Sequence, residues 1–105
     1  PGTPVFVAVD SNDEAVGYMF CQIKSVSEKG PFKQNKSLYI DDLCVVGKRR
    51  GESIGTMLLE HAIEYAKENG CNFVELNVWE FNKSAIGFYE KFGMRTKKRT
   101  MELVL

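Results

Sequence analysis

Three cations and three small residues stand together in Lys48-Arg49-Arg50-Gly51-Glu52-Ser53-Ile54-Gly55. That mixture bears chemistry if it lies where a helix begins. A helix N-terminus offers unpaired N–H groups and about half a positive charge. Small side chains there let a diphosphate approach the backbone. Gly51, Ser53 and Gly55 are the small residues, and Arg49 and Arg50 add cationic side chains. Two nucleotide loops fail the pattern. The P-loop places Lys-Ser/Thr after its last glycine, whereas Gly55 is followed by Thr56-Met57. The spacing G-x-G-x-x-G is not met either. Taken alone, the run reads as an anion site or as a solvated basic turn between a strand and a helix.

Other reactive side chains are sparse. Cys21, Cys44 and Cys71 form no C-x-x-C pair, so neither a zinc site nor a disulfide framework is suggested, and no metal is expected. Each sits among apolar neighbours and reads as a small buried residue in a reducing compartment. His61, the only histidine, flanks an apolar helical stripe. Like Cys44, it reads as a packing residue, because a nucleophilic cysteine wants an accessible, electropositive setting.

The elements that position these residues follow from periodicity. Val5 to Val9 reads as a strand closed by Asp10-Ser11-Asn12-Asp13, and Ala15 to Ile23 as its hairpin partner. Ser25 to Ser37, with Gly30 and Pro31, reads as a loop. Leu38 to Val46 is a strand whose continuous apolar end suits burial on both faces. Ile54 to Asn69 is the clearest helix, with Ile54, Met57, Leu58, Ala62, Tyr65 and Ala66 on one stripe and Gly70 as a left-handed cap. Phe73 to Trp79 is a strand. Asn82 caps a second helix running to about Phe92, closed by Gly93, and Met94 to Leu105 is a final extended segment.

The 105 residues suffice for one domain with one core. Apolar residues make up 44% and charged residues 27%, so disorder is not expected. Zero net charge, from 14 basic and 14 acidic side chains, disfavours a general nucleic-acid binder. No apolar run approaches the roughly 18 residues of a membrane span. No signal peptide is visible, so the expected compartment is the cytoplasm, with neither membrane nor nucleic acid as partner.

With the elements in place, the sequence resembles the GNAT superfamily of N-acetyltransferases. The family's phosphate loop, Q/R-x-x-G-x-G/A, is met by Arg50-Gly51-Glu52-Ser53-Ile54-Gly55, and the L-x-V ending of its preceding strand by Leu43-Cys44-Val45. Asn82, Ala85, Tyr89 and Gly93 match the family's second helix. The match holds register from about Ala15 to the C-terminus. The resemblance implies an α+β fold of three layers, acyl-CoA N-acyltransferase-like: a mixed, mostly antiparallel sheet with helices on both faces. Two departures stand out. Ser53 occupies a position that is usually glycine. The family also begins with a strand and one or two helices that this chain, opening Pro-Gly-Thr-Pro, lacks. The expectation is a single domain over 1–105 without that N-terminal part, leaving a sheet edge uncovered and favouring a homodimer.

The implied activity is direct transfer of an acetyl group from acetyl-CoA to a primary amine, on a small molecule or a protein. A non-catalytic acyl-CoA-binding module is the alternative, and a structural or interaction domain with a vestigial pocket stands behind it. The implied cofactor contacts are Leu43, Cys44, Val45 and Val46 on the strand end, Arg49, Arg50, Gly51, Glu52, Ser53, Ile54, Gly55 and Thr56 on the loop and helix start, and Asn82, Ala85 and Tyr89 on the second helix. Backbone N–H groups at Cys44 to Val46 are the expected oxyanion donors. Tyr89 matches the tyrosine that protonates the leaving thiolate, and its spacing with Ile86 and Phe92 also fits a core aromatic. A carboxylate must take the amine's proton, and Asp41 and Asp42 are the candidates. Strand alternation allows at most one of them, with the parity of Asp41 preferred; a bulge reverses that choice. Trp79 and Phe81 line the acceptor pocket or pack in the core.

Overall fold

A computed structural model describes residues 2–26, 35–47 and 53–105. Its elements are β1 (Val5–Val9), β2 (Ala15–Val26), β3 (Asn35–Val45), α1 (Ile54–Glu68), β4 (Phe73–Leu76) and α2 (Lys83–Lys91). The four strands form one sheet in the order β1-β2-β3-β4. The first two pairings are antiparallel and the third is parallel, so the sheet is mixed and mostly antiparallel. Parallel β3 and β4 need a crossover, and α1 supplies it. No helix among the described residues is long and apolar enough to cross a membrane.

The core lies between the sheet and α1. Ile54, Leu58, Leu59, Ala62 and Ala66 are the buried residues of α1, and they meet Met19 and Cys21 of β2 and Leu38 and Ile40 of β3. Met57, expected on the same stripe, is exposed. It flanks a groove of about 360 Å³ between Phe6 and Ala8 of β1 and Leu58 and His61 of α1. His61, expected as a packing residue, is exposed, with its ring edge-on to Phe6 at 4.8 Å between ring centroids. Gly17 lets α1 close on the sheet. A Cβ there would stand 2.9 Å from Ile54 Cγ2 and 3.1 Å from the Cys44 carbonyl oxygen.

Both helices end as their glycines require. Gly70 has φ 72° and Gly93 has φ 91°, left-handed values that glycine adopts without a Cβ clash. Asn82 caps α2 by accepting the Ala85 N–H at 3.2 Å.

Three expectations are corrected. Residues 94–105 join no strand, although Met101, Leu103 and Leu105 alternate as strand residues do, and all three side chains are exposed. Alternation marks a surface fit for pairing, and a strand forms only where a neighbour supplies the ladder. Cys44 is exposed, while Cys21 is buried and Cys71 half-buried. Trp79 and Phe81 lie outside the core, beyond the end of β4, stacked on each other at 5.7 Å with 71% and 78% of their surfaces exposed.

Candidate active site

The site begins where two parallel strands stop pairing. β3 and β4 are in register from Ser37↔Phe73 to Ile40↔Leu76. β4 ends there and β3 continues to Val45. At this point the β2–β3 register steps from Cys21↔Ile40 to Phe20↔Asp42, which leaves Asp41 as an extra, bulged residue. A bulge bends its strand and increases local twist, and beyond it β3 has no strand partner on its β4 side among the described residues. The resulting cleft lies at the carboxyl ends of parallel strands, where open sheets receive ligands.

The backbone of β3 presents donors to that cleft. The Val46 N–H donates to the Val16 carbonyl at 2.9 Å. In an antiparallel ladder alternate residues direct both backbone groups to the same neighbour. Cys44 and Val46 therefore face β2, and Leu43 and Val45 face the cleft. Among the expected oxyanion donors, the Val45 N–H points to the cleft and has no strand partner there among the described residues, whereas the Val46 N–H is taken by Val16.

The start of α1 forms a second wall. Ser53 is its N-cap residue, at φ 64° and ψ 21°, and its side chain makes no capping hydrogen bond. The first-turn N–H groups thus lack the usual side-chain acceptor. Ile54 is buried against the sheet and Thr56 is half-buried. Gly55 is small without being crowded: an added Cβ would lie 3.5 Å from Phe88 Cζ and 3.9 Å from Val45 Cγ2, ordinary contact distances. Protein packing therefore does not demand glycine here, and a close approach to the helix backbone gives it a reason. Arg49, Arg50, Gly51 and Glu52 lie outside the described residues.

The bulge redistributes the two carboxylates. Leu43 and Val45 pack toward the core, as Ile40 does. Parity therefore inverts across Asp41, and Asp42 and Cys44 project from the sheet face opposite α1. Asp41 shares that face, since its Oδ2 accepts a hydrogen bond from Gln22 Nε2 at 2.8 Å. The strict alternation that allows only one aspartate on a face fails here. Tyr89 of α2 is half-buried and packs against the core. Burial raises its phenol above the ordinary value of 10.0, and the nearby Asp42 carboxylate raises it further. The hydroxyl is thus kept as a proton donor well beyond neutral pH. Asn82 and Ala85 stand at the start of α2 and are joined by the capping hydrogen bond.

Tyr18 is a neighbour that strand propensity alone does not single out. It pairs across the ladder with Cys44, next to the Phe20–Asp42 pair. The Cys44 thiol first, and then the Asp42 carboxylate, hold its phenol above the ordinary range. Only the registered β2–β3 pairing exposes this cluster. Cys21, on the opposite face, is pushed up to about 11 by burial and then by the Asp41 charge, so it stays a thiol.

The chain has recognisable relatives. Residues 1–94 match the model of the acetyltransferase (GNAT) family. An uncharacterized N-acetyltransferase of Methanocaldococcus jannaschii is 36% identical over 93 residues, covering 89% of this chain and 40% of its own length. A peptidyl-lysine N-acetyltransferase of Salmonella typhimurium is 33% identical over 100 residues, covering 95% of this chain and 56% of its own. The chain thus spans about half the length of these curated relatives. Among solved structures, a tetramutant of the BH1408 protein from Bacillus halodurans superposes with a TM-score of 0.91 at 38% identity, over 99% of this chain and 67% of that one.

Proposed function

The chain belongs to the acetyltransferase (GNAT) family, and from that premise we propose that it carries the catalytic core for transferring an acetyl group from acetyl-CoA to a primary amine. The observation that carries the reading is that the half-buried Tyr89 phenol of α2 lies within the electrostatic influence of Asp42, which stands on β3 just past the end of its pairing with β4. A carboxylate and a phenol kept protonated are what the reaction needs on its two sides: one group to take a proton and one to give it.

The cleft suits the co-substrate by its donors. The open N–H groups of Leu43 and Val45 would hold the pantetheine arm and the thioester, and the first turn of α1 at Ser53, Ile54, Gly55 and Thr56 would face the diphosphate, with Arg49 and Arg50 adjacent in sequence. Bound there, acetyl-CoA supplies an activated acetyl thioester. The chain's own groups do the rest. An amine of lysine type has a pKa of about 10.4 and arrives protonated near neutral pH. Asp42 accepts that proton, directly or through water. The Val45 N–H donates to the oxygen on which negative charge develops. Tyr89 gives its proton to the departing sulfur. Asp41, held by Gln22, is left to attract the cationic acceptor, and the bulge moves the choice of base to Asp42.

The acceptor class follows the named chemistry of one relative, a peptidyl-lysine N-acetyltransferase. Thiol release from acetyl-CoA by the full-length protein, over lysine peptides and small amines, tests the reading. Amine-dependent release supports it, and release that no amine accelerates contradicts it. A purely cofactor-binding role has nothing comparable in its favour, since binding alone gives no use to Asp42 and Tyr89 together.

A further inference from the structure

We propose that Tyr39 and Asn77 are positioning residues whose side chains latch β4 to β3 at the mouth of the cleft and so fix its width for acetyl-CoA. The inference rests on that cleft taking the co-substrate. It begins where the parallel ladder fails. The last pairs are Tyr39↔Glu75 and Ile40↔Leu76. Continued register would set Asp41 beside Asn77, and Asp41 is the bulged residue of β3. The pairing stops there, and the Asn77 side chain turns back to β3. Its Nδ2 donates to the Tyr39 hydroxyl at 3.0 Å. A side-chain bond thus stands at the point from which the two strands diverge.

Both ends of this bond are held. Leu38 and Ile40 are buried in the core, so Tyr39 between them projects from the sheet face opposite α1. Lys24 is its diagonal neighbour on β2. The Lys24 Nζ stands 4.1 Å from the centroid of the Tyr39 ring, a cation–π contact that restrains the ring. Gln22, directly opposite Tyr39, donates to Asp41 at 2.8 Å. The bulge is therefore secured from β2, and Asn77 is secured from β3. Asn77 opens the stretch that carries Trp79 and Phe81 toward α2. Beyond Asn77, the backbone bonds of the described residues up to Phe81 stay within the turn into α2: the Asn82 N–H donates to the Trp79 carbonyl at 2.9 Å and the Lys83 N–H to the Phe81 carbonyl at 3.0 Å. The latch thus sets how far this wall stands from Leu43 and Val45. With the latch cut, the wall must be ordered when the ligand arrives, and that ordering lowers affinity.

The test measures calorimetric acetyl-CoA affinity, and turnover with an N-α-blocked lysine peptide, in the full-length parent, Tyr39→Phe, Asn77→Ala and the double variant. Phenylalanine keeps the ring under Lys24, and the lost bond is exposed, so thermal midpoints are expected to stay close to the parent's. Acetyl-CoA affinity is expected to fall about fivefold in each single variant, the size of one neutral hydrogen bond. With acetyl-CoA saturating, kcat is expected within about twofold of the parent. Partial unfolding would do the reverse, lowering kcat and leaving the Kd of the folded molecules as it was. The double variant is expected to bind no more weakly than the weaker single variant, since both substitutions remove the same bond. Parent affinity in both single variants, or losses that multiply in the double variant, overturn the latch alone. A parent that binds no acetyl-CoA overturns the reading of the cleft, and the latch with it.

Discussion

At the scale of single residues, Ser53 carries the most information. Its position reads as usually glycine in the family it resembles, and its backbone shows why. A φ of 64° is left-handed, where an L side chain clashes with the backbone. Serine tolerates the conformation at a cost of roughly 1–2 kcal/mol. Its hydroxyl recovers none of that by capping α1. Ser53→Gly is therefore expected to stabilise the folded chain by about 1 kcal/mol, readable as a higher urea midpoint. It should also tighten acetyl-CoA binding, because the first turn of α1 is then approachable from every side. A lower midpoint would show that the serine hydroxyl makes a contact outweighing the strain. Asp41 and Asp42 teach a different lesson. Both were visible as candidate bases from sequence, but their faces depend on one extra residue in β3 that no local pattern announces.

Among the elements, α1 and α2 were legible because their signals are local. The stripe Ile54, Leu58, Ala62 and Ala66 repeats at helical spacing, Asn82 caps, and Gly70 and Gly93 take the left-handed turns. What decides the cleft is not local. β4 ends at Leu76 and not at Trp79, and β3 bulges at Asp41, because pairing partners and not propensities set strand limits. The seat of α1 on the sheet is equally a matter of tertiary fit, and Gly17 is its tightest point. An added methyl would crowd Ile54 Cγ2 at 2.9 Å and the Cys44 carbonyl at 3.1 Å, and backbone cannot swing aside as a side chain can. Gly17→Ala should cost about 1–3 kcal/mol. It should also lower transfer activity, since Ile54 begins the helix proposed to face the cofactor. Stability and acetyl-CoA affinity measured on one sample check both parts. A fully parent-like variant would mean that α1 is not held at the sheet as described.

At the scale of the molecule, apolar side chains stand exposed among the described residues. Val5, Val7 and Val9 are exposed along edge strand β1, as are Met101, Leu103 and Leu105 beyond the sheet. The Cα radius of gyration is 15.3 Å, against about 13 Å for a compact chain of this length. The described residues form one buried core, and Cys21 ties that core to pH. Its thiol is raised from 9.0 to about 11 by burial and by Asp41. A group raised in this way contributes its full stabilisation below its unfolded pKa and loses it as pH climbs through the folded value. The loss here spans pH 9 to 11 and, discounted for solvent screening, amounts to about 1–2 kcal/mol. Urea midpoints across that range should fall more steeply in the parent than in Cys21→Ala, and parallel curves would contradict the assignment.

The central claim is that Asp42 and Tyr89 perform the proton transfers at a cleft that binds acetyl-CoA independently of them. It is tested most directly by pairing calorimetric acetyl-CoA binding with turnover in Tyr89→Phe. The account predicts a loss of about 10²-fold or more in kcat, with the Kd for acetyl-CoA within about threefold of the parent, since a phenol acting only on the leaving sulfur contributes little to binding. An unchanged kcat, or a kcat loss matched by an equal loss of affinity, would contradict it.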